Sequence, residues 1–310
     1  APRYPEETTI MTIPGRSLLT RLLFHADAPD PHRPTPRQID GVTVYFRLRL
    51  QPHRTAADVH RALAPLLATE STALAALGAS QVYLYSDATH RGLELAPFIL
   101  GRTHTALALF SKVTGKPVPP SFTTAIAPAP AALLEIQLDA PLTSEQHGAL
   151  DQIKAALVPL ASDLSSVECD RRYIVVDSRA SRAQAVFLTV LTRVPWNRTL
   201  DQAQHYWINE HAALVHDNLS RTGMVGYIQV HTTTNPRSTY DNQFGGVATI
   251  EFDTIDDYLR QGLRPASIGF NNTLCLDEMN LTVDSEIYLF HRTALLTAAT
   301  PTANPRLSGN

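Results

Sequence analysis

The sequence predicts an α+β protein, because one order of elements, β-α-β-β-α-β, occurs twice along its 310 residues. Strands are marked by alternating apolar and polar residues, and helices by apolar residues at helical spacing. Two of the helices also begin with a threonine followed three residues later by a glutamine, which is a helix-start signature. The repeated order is that of a ferredoxin-like unit. Two tandem units predict a single-chain pseudo-dimer in which two sheets face each other as an α+β barrel.

The first ferredoxin-like unit is predicted within residues 41–180, after an extended, proline-rich N-terminal arm at 1–40. Its first strand, VTVYFRLRL, alternates with period two, as expected of a half-buried strand. The unit is read as strands 42–50, 81–87, 132–139 and 171–177, with helices 55–77 and 143–160. The long stretch 88–130 is predicted to be loop with one short helix near 103–112.

The second unit is predicted within residues 181–296, with a tail at 297–310. Its strands are expected at 185–193, 224–231, 247–253 and 283–290. Helix 199–221 is opened by Thr199 with Gln202 three residues on, and Gly223 is expected to end it. An irregular helical region is predicted from 254 to 281.

Composition excludes several classes of protein. The chain has 26 Lys+Arg against 29 Asp+Glu, 44% hydrophobic and 18% charged residues, so neither a disordered chain nor a nucleic-acid binder is expected. No apolar run reaches the length of a membrane span. Cys169 and Cys275 are the two cysteines of the sequence, and the N-terminus lacks the pattern of a signal peptide. We therefore expect a cytoplasmic protein, either monomer or homodimer.

Several sharp motifs are absent from the sequence. It has no G-x-G-x-x-G, P-loop, G-x-S-x-G or H-E-x-x-H. Dinucleotides, triphosphates, a serine-hydrolase elbow and a zinc site therefore have no support. The expected cofactor and metal content is none, with haem as the alternative because some α+β barrel proteins bind it.

The second unit contains two sequence motifs, one on its predicted helix 199–221 and one on the strand that follows. One is Tyr206-Trp207-x-x-x-His211-Ala212 on the predicted helix, and the other is Tyr227-x-Gln229-x-His231 on the next strand. Together with FLTVLTR, GVATIEFDTIDDY and the late acidic pair in LDEM, they resemble an EthD-type domain of the dimeric α+β barrel superfamily over residues 185–293. The first half lacks these motifs, since its helix reads TAADVHRALAPLL.

The resemblance implies a small protein, usually without a cofactor, that acts on aromatic or polyketide-derived compounds. The expected function is therefore a cofactor-independent acid/base enzyme of the lyase type, a dehydratase or decarboxylase, or else a cyclase or isomerase. Its expected partner is a small aromatic or polyketide-like substrate. The alternatives are a non-catalytic small-molecule binding module, a cofactor-free oxygenase and a haem-binding α+β barrel protein.

His211 is the first candidate catalytic residue. Helical periodicity places it on one stripe with Trp207, Leu214 and Asn218. A neutral imidazole in a dry pocket can take a proton near neutral pH. The competing interpretation is a core histidine that bonds a backbone carbonyl. Tyr206 and Trp207 are expected to stack on the substrate ring.

The strand after this helix supplies the next candidates. Tyr227, Gln229 and His231 alternate along it, so their side chains project to the same side. If this face is buried, each polar group needs a partner, and Tyr227 and His231 become catalytic candidates with Gln229 binding substrate. The competing interpretation is a solvent-exposed strand end.

Three carboxylates are candidates for orienting a histidine. Asp277 and Glu278 precede the last strand, and Glu251 lies on strand 247–253. A carboxylate beside an imidazole fixes its tautomer and raises its basicity. The competing interpretation is that Asp277 and Glu278 are solvated loop carboxylates.

Overall fold

The computed structural model describes residues 26–67, 76–88, 125–126, 131–178, 184–195, 198–232, 244–278, 280–282 and 285–297. The strands within these ranges are β1 (Arg37–Ile39), β2 (Val42–Leu50), β3 (Ala79–Asp87), β4 (Ala125–Ile126), β5 (Ala131–Leu138), β6 (Ala161–Val176), β7 (Val186–Arg193), β8 (Gly226–Thr232), β9 (Phe244–Phe252) and β10 (Glu286–Thr297). The helices are α1 (Ala56–Leu67), α2 (Ser144–Leu157), α3 (Leu200–Tyr206), α4 (Ala212–Asp217), α5 (Leu219–Thr222), α6 (Ile255–Leu263) and α7 (Pro265–Glu278).

Eight of the strands close into an antiparallel barrel. Their order is β6-β2-β5-β3-β10-β7-β9-β8, and β8 pairs back onto β6. The short strand β1 pairs with β6 outside this circuit, and β4 pairs parallel with β10. The prediction of an α+β fold with a closed barrel is therefore confirmed. Among the described residues, none of the helices combines the length and the apolar character that a membrane span requires.

The alternation of each strand divides its side chains between the barrel lumen and the outer face. The lumen is filled by large side chains from both halves, among them Tyr45, Tyr85, Phe187, Val247 and Phe290. On the outer face of the first half, the other residues of β2 pack beneath the apolar faces of α1 and α2, in a core that includes Phe46, Leu48, Leu63, Ile153 and Leu157. Burial on both sides of the sheet therefore accounts for the continuous apolar character of these strands.

A buried ion pair lies inside the lumen. The Glu135 carboxylate is 2% exposed and accepts hydrogen bonds from Arg172 Nη1 at 2.8 Å, Gln137 Nε2 at 2.6 Å and the Tyr85 hydroxyl at 2.6 Å. Burial alone would raise the pKa of Glu135, but Arg172 and the hydrogen bonds hold it below its ordinary value. These three donors, together with the positive charge of Arg172, compensate the buried charge of the Glu135 carboxylate.

The helix starts and ends agree closely with their sequence signals. Capping boxes form at Thr143 with Gln146 and at Thr199 with Gln202, as predicted. Gly223 ends α5 in the left-handed conformation, with φ of 67°. The predicted helical region 254–281 is two helices, since Pro265 begins the second one and disfavours a helical residue before it.

Strands β6 and β10 extend well beyond their predicted bounds. Strand β6 begins at Ala161, ten residues before the predicted start, because Val167 and Cys169 face the lumen while polar residues on the other side hide the alternation. Strand β10 continues to Thr297 because its second half pairs with β3. Residues 68–75 of the predicted first helix, and the helix predicted near 103–112, lie outside the described residues.

The described part of the N-terminal arm before β1 contacts the second half of the protein. The backbone N–H of Asp27 donates to Asn218 Oδ1 at 2.8 Å, and Asp27 also pairs with Arg221. Arg33 pairs with Asp217 at 2.9 Å. These contacts join residues 26–36 to α4 and α5.

At Gly246 the fold requires a residue that has no side chain. Its φ is +154°, and a Cβ there would lie 2.3 Å from the carbonyl oxygen of Val230 and 2.9 Å from Trp207 Cζ3. Strand β9 and the Trp207 ring can approach this closely only because the residue is glycine.

We therefore expect Gly246→Ala to destabilise the protein by about 1–3 kcal/mol from backbone strain alone, with a further cost from displacing Trp207. Gly148→Ala is the matched control, because a Cβ at Gly148 in α2 meets no atom within 4 Å. That change should stabilise the protein by about 0.5–1 kcal/mol. Urea unfolding measures both, and equal stabilities of the two variants would contradict the close packing at Gly246.

Candidate active site

The helix that carries the main candidates contains a π turn. Helix α3 passes into a π-helical turn at Trp207–His211, in which the N–H of Ala212 donates to the carbonyl of Trp207, and α4 follows. A π turn contains one residue more than an α-helical turn. The buried face of the helix after His211 therefore includes Val215 in place of Leu214. Uniform helical periodicity predicted Leu214 on this face and missed the shift. Turns of this kind occur frequently at functional sites.

His211 and Asp277 form a buried pair. Nδ1 of His211 lies 2.7 Å from Oδ2 of Asp277, and His211 is 5% exposed. Because a carboxylate accepts hydrogen bonds, Nδ1 is the donor in this contact, and the tautomer with its proton at Nδ1 has its lone pair at Nε2. Within the described residues, no hydrogen bond to this Nε2 is present. The pair thus combines an oriented imidazole with an available basic nitrogen.

Asp277 is itself held in place by a second row of polar groups. The Tyr206 hydroxyl donates to Oδ1 of Asp277, and Asn280 Nδ2 lies 3.3 Å from the same hydroxyl. Arg198 donates to Asn280 Oδ1 at 3.3 Å and lies 5.1 Å above the Tyr206 ring. Burial and the Asp277 charge both raise the pKa of Tyr206, so the hydroxyl keeps its proton. Tyr206 therefore positions Asp277, in addition to any ring contact that the sequence predicted.

Glu278 brings a second carboxyl group to the pair. Burial raises the pKa of Glu278 to about 7; a positive charge on His211 opposes this shift, and the Asp277 charge adds to it. Glu278 therefore changes protonation near neutral pH. The two acidic residues belong to the end of α7 and are not solvated loop carboxylates.

On the sheet side, Tyr227 lies beside the His211–Asp277 pair. It is buried, and its ring lies edge-on to the His211 ring at 6.4 Å between centroids. Its oxygen accepts hydrogen bonds from Trp207 Nε1 and Gln229 Nε2, both at 3.0 Å. Burial raises the pKa of Tyr227, so the phenol stays protonated. With both acceptor positions taken, the hydroxyl still has its own proton to donate.

Gln229 and His231 complete the row on β8, and both are buried. Gln229 Nε2 also donates to the Trp207 carbonyl at 3.2 Å, and its Oε1 accepts from His231 Nε2 at 3.0 Å. The Trp207 and His231 rings stack at 4.7 Å with 14° between their planes. Among the described residues, the Trp207 ring therefore stacks on His231, and its Nε1 donates to Tyr227. The row faces the helix, and the interpretation as an exposed strand end is excluded.

His231 is fixed in its neutral form. Burial lowers its pKa to about 3, and the Arg171 charge contributes to the shift. A group of this pKa does not accept a proton near neutral pH. The structure therefore places His231 as a support for Trp207 and Gln229, and not beside His211 as a second proton-transfer group.

Glu251 does not join these residues. Its carboxylate accepts a hydrogen bond from Ser178 Oγ, and its neighbours in register are Gly226 and Phe187. Alternation places it on the lumen side of β9 with Val247, whereas Ala248 and Ile250 face the helix. The carboxylate that orients His211 is Asp277, so the suggested role of Glu251 is corrected.

Several residues of the site had no signal in the sequence. Gln204 Nε2 donates to the carbonyls of Thr232 at 2.7 Å and Gly245 at 2.8 Å, and Arg171 donates to Gln204 Oε1 at 2.6 Å. Tyr173 packs against His231 at 4.9 Å. These contacts join positions distant in sequence, so periodicity along one element could not reveal them.

The surroundings of His211 do not fit a haem. An axial histidine commonly donates its second ring N–H to a carboxylate, as His211 does. However, Trp207, Tyr227, Gln229 and His231 occupy the layer between helix and sheet, and each is at most 3% exposed, so a group as large as haem does not fit there. Two acidic groups also flank His211, where the anionic propionates of haem would be repelled. No step of the chemistry is therefore assigned to haem, and the described residues hold no metal-ligand cluster of three.

No family model matches the chain, and no curated protein matches it. Similar solved structures include a protein of Fusobacterium nucleatum assigned as a monooxygenase, with 9% identity, a TM-score of 0.46 and coverage of 83% of this chain and 94% of that one. A dye-decolorizing peroxidase of Bacteroides thetaiotaomicron has 9% identity, a TM-score of 0.41 and coverage of 86% and 95%. A DypB variant of Rhodococcus jostii in complex with haem has 11% identity, a TM-score of 0.42 and coverage of 86% and 96%.

These similar structures correct the predicted function. They are oxidative enzymes, and the prediction of a cofactor-independent lyase, dehydratase or decarboxylase is contradicted by them. The EthD-type resemblance gains no specific support and stays a prediction. At this level of identity, the similarity does not transfer a substrate or a cofactor to this chain.

The low pKa of His231 predicts an acid-sensitive fold. Between about pH 6.5 and pH 3 the unfolded chain binds a proton at this residue that the folded chain excludes. The free energy of unfolding should therefore fall with decreasing pH, by at most about 1.4 kcal/mol per pH unit from this group. In His231→Phe, which keeps a ring against Trp207, urea unfolding from pH 7 to pH 4 should show a shallower slope.

Tyr173→Phe is the control for this prediction, because it alters a ring beside His231 and leaves the histidine in place. It should retain the slope of the unmodified protein. An unchanged slope in His231→Phe would show that the pKa of His231 is the same in the folded and the unfolded chain.

Proposed function

We propose that the protein is an oxidative enzyme of the oxygenase type, in which His211 is the base that activates the substrate. The observation that carries this proposal is the His211–Asp277 contact of 2.7 Å in a buried site. A carboxylate at Nδ1 fixes the tautomer and stabilises the imidazolium that forms when Nε2 takes a proton. A positioned base of this kind contributes roughly 10²–10⁴-fold to a rate.

The substrate that suits this site is a small aromatic or polyketide-like molecule with an acidic C–H next to a carbonyl or phenol. Tyr227 donates its remaining proton to the substrate oxygen, and His211 Nε2 removes the proton from carbon. The negative charge then spreads onto the oxygen that Tyr227 binds. Asp277 and Glu278 make the site acidic, which disfavours substrates that carry a carboxylate close to the reacting carbon.

Deprotonation makes the carbon electron-rich enough to reduce dioxygen. When a CH₂ group becomes a carbonyl, one oxygen atom forms the C=O bond and the other leaves as water with the two hydrogens. The carbon supplies all four electrons that O₂ accepts, so the balance closes without a further reductant. His211 and Tyr227 would supply and receive the protons.

We also infer that the barrel consists of two ferredoxin-like units, at residues 41–180 and 181–296, between the arm at 1–40 and the tail at 297–310. The strand orders support this inference. Numbered within each half, β6-β2-β5-β3 and β10-β7-β9-β8 both run 4-1-3-2. The dyad lies in the second of these units, in agreement with the position of the two sequence motifs.

The proposal predicts that His211→Ala lowers turnover by about 10²–10⁴-fold with little change in stability. The measurement is oxygen uptake with a hydroxyanthrone, whose ring CH₂ carries an acidic C–H, after subtraction of the uncatalysed rate. His60→Ala, on the exposed side of α1, is the control and should retain full activity.

Two outcomes would contradict the proposal. Unchanged oxygen uptake in His211→Ala would show that His211 is not the base. Release of unaltered substrate by the unmodified protein would favour a binding module. Titration with haemin gives a third check, because an absorbance band near 400 nm that requires His211 would make this residue a haem ligand.

Asp277→Asn tests the orienting carboxylate separately. The amide keeps the shape but can stabilise the wrong tautomer of His211, so turnover should fall by roughly 10²-fold or more. Glu278→Gln is the neighbouring control, because its side chain has no hydrogen bond to His211 among the described residues. A larger loss in Glu278→Gln than in Asp277→Asn would exchange the roles of the two residues.

A further inference from the structure

Strand β10 carries an arginine, Arg292, on the lumen side of the barrel, away from the His211 site. It follows the lumen residue Phe290 by two positions, and its register partner on β3 is Tyr85, whose hydroxyl donates to the buried Glu135 carboxylate. The Arg292 side chain is half-buried, and Ala294, the next residue on the same side of β10, is exposed. Arg292 therefore lies where the lumen opens to solvent.

Two aromatic rings hold the guanidinium group of Arg292. Its Cζ atom lies 4.2 Å from the centroid of the Phe187 ring and 4.6 Å from that of the Tyr83 ring. These rings belong to β7 and β3, the strands on either side of β10. A ring face attracts a cation without occupying its N–H donors, and a guanidinium group presents those donors in a rigid, planar fork. The two rings thus fix the group while its donors stay available.

No carboxylate of the described residues forms an ion pair with Arg292. Glu135 is paired with Arg172 and accepts hydrogen bonds from two further side chains. Glu251, which also faces the lumen, accepts a hydrogen bond from Ser178 on the other side of β7 and β9. A half-buried cation without a paired anion is unfavourable, so the charge of Arg292 favours an anion from solution.

The polar group beside Arg292 also offers donors. The Tyr83 hydroxyl donates to Oε1 of Gln81 at 2.9 Å, and this contact engages the acceptor of the amide. Within the described ranges, Nε2 of Gln81 has no hydrogen-bond partner, and the side chain is half-buried. Deeper in the lumen, Phe187 and Phe290 are at most 2% exposed and leave no room for a ring. A ligand of Arg292 must therefore be small and must enter from the open end.

We propose that Arg292 and Gln81 bind a small carboxylate anion at the opening of the lumen. The two oxygens of a carboxylate match the fork of a guanidinium group in a bidentate contact. Its single negative charge also equals the charge that Arg292 carries without a partner. The acidic surroundings of His211 disfavour such an anion. The two sites therefore select different ligands, and this inference does not rest on the proposed oxidative function.

The test follows acetate binding to the whole chain in ¹H–¹⁵N spectra at constant ionic strength. We expect a saturable shift of the Arg292 Nε–H signal and of the Gln81 amide signals, with a Kd of about 1–10 mM. Arg292→Gln should weaken binding at least roughly tenfold, as measured at Gln81. Arg61→Gln is the matched control, because it removes an exposed arginine of α1, and it should keep the affinity within about twofold.

Gln81→Glu is a second variant, which retains Arg292 and does not depend on the folding of Arg292→Gln. Its carboxylate would compete with acetate for the guanidinium group, so binding should weaken. Asp277→Asn should leave the acetate affinity unchanged, which separates this site from the proposed active site. Shifts that do not saturate, full affinity in both Arg292→Gln and Gln81→Glu, or tighter binding of inorganic phosphate than of acetate would overturn the proposal.

Discussion

The pairing of β8 with β6 is the interaction on which the rest of the structure depends. These two strands come from different halves of the chain, and their hydrogen bonds close the barrel. Closure removes the free edge of each sheet and gives the large lumen residues of both halves a common core. It also fixes the register of β8, and with it the direction of Tyr227, Gln229 and His231.

Once β8 is fixed, the polar groups on its outer face must be satisfied without water, because they are buried under the helix. The chain of bonds from His231 through Gln229 to Tyr227 does this, and Trp207 supplies the remaining donor. Because residue 246 is glycine, β9 can approach the Trp207 ring closely, and the position of Trp207 depends on this approach. His231, which was predicted to be catalytic, and Gln229, which was predicted to bind substrate, are therefore part of the support that places Tyr227 beside His211.

The two halves have the same strand order but present different side chains beneath their helices. In the second half, α7 brings Asp277 to the histidine of the neighbouring helix, and the site is closed and acidic. In the first half, the layer beneath α1 and α2 is an apolar core that includes Phe46, Leu63 and Ile153.

The sequence by itself determined the central part of each barrel strand, the capped helix starts and the row on β8, because each follows from periodicity or from contacts a few residues apart. It also placed His211 and Trp207 on the buried face of their helix. Only the tertiary structure decided which carboxylate reaches His211, that His231 is held neutral and that the helix shifts its face through a π turn. These features depend on contacts between residues far apart in sequence, such as His211 with Asp277 and Arg171 with Gln204. Local propensity carries no information about such contacts, since packing and desolvation act only after the chain has closed.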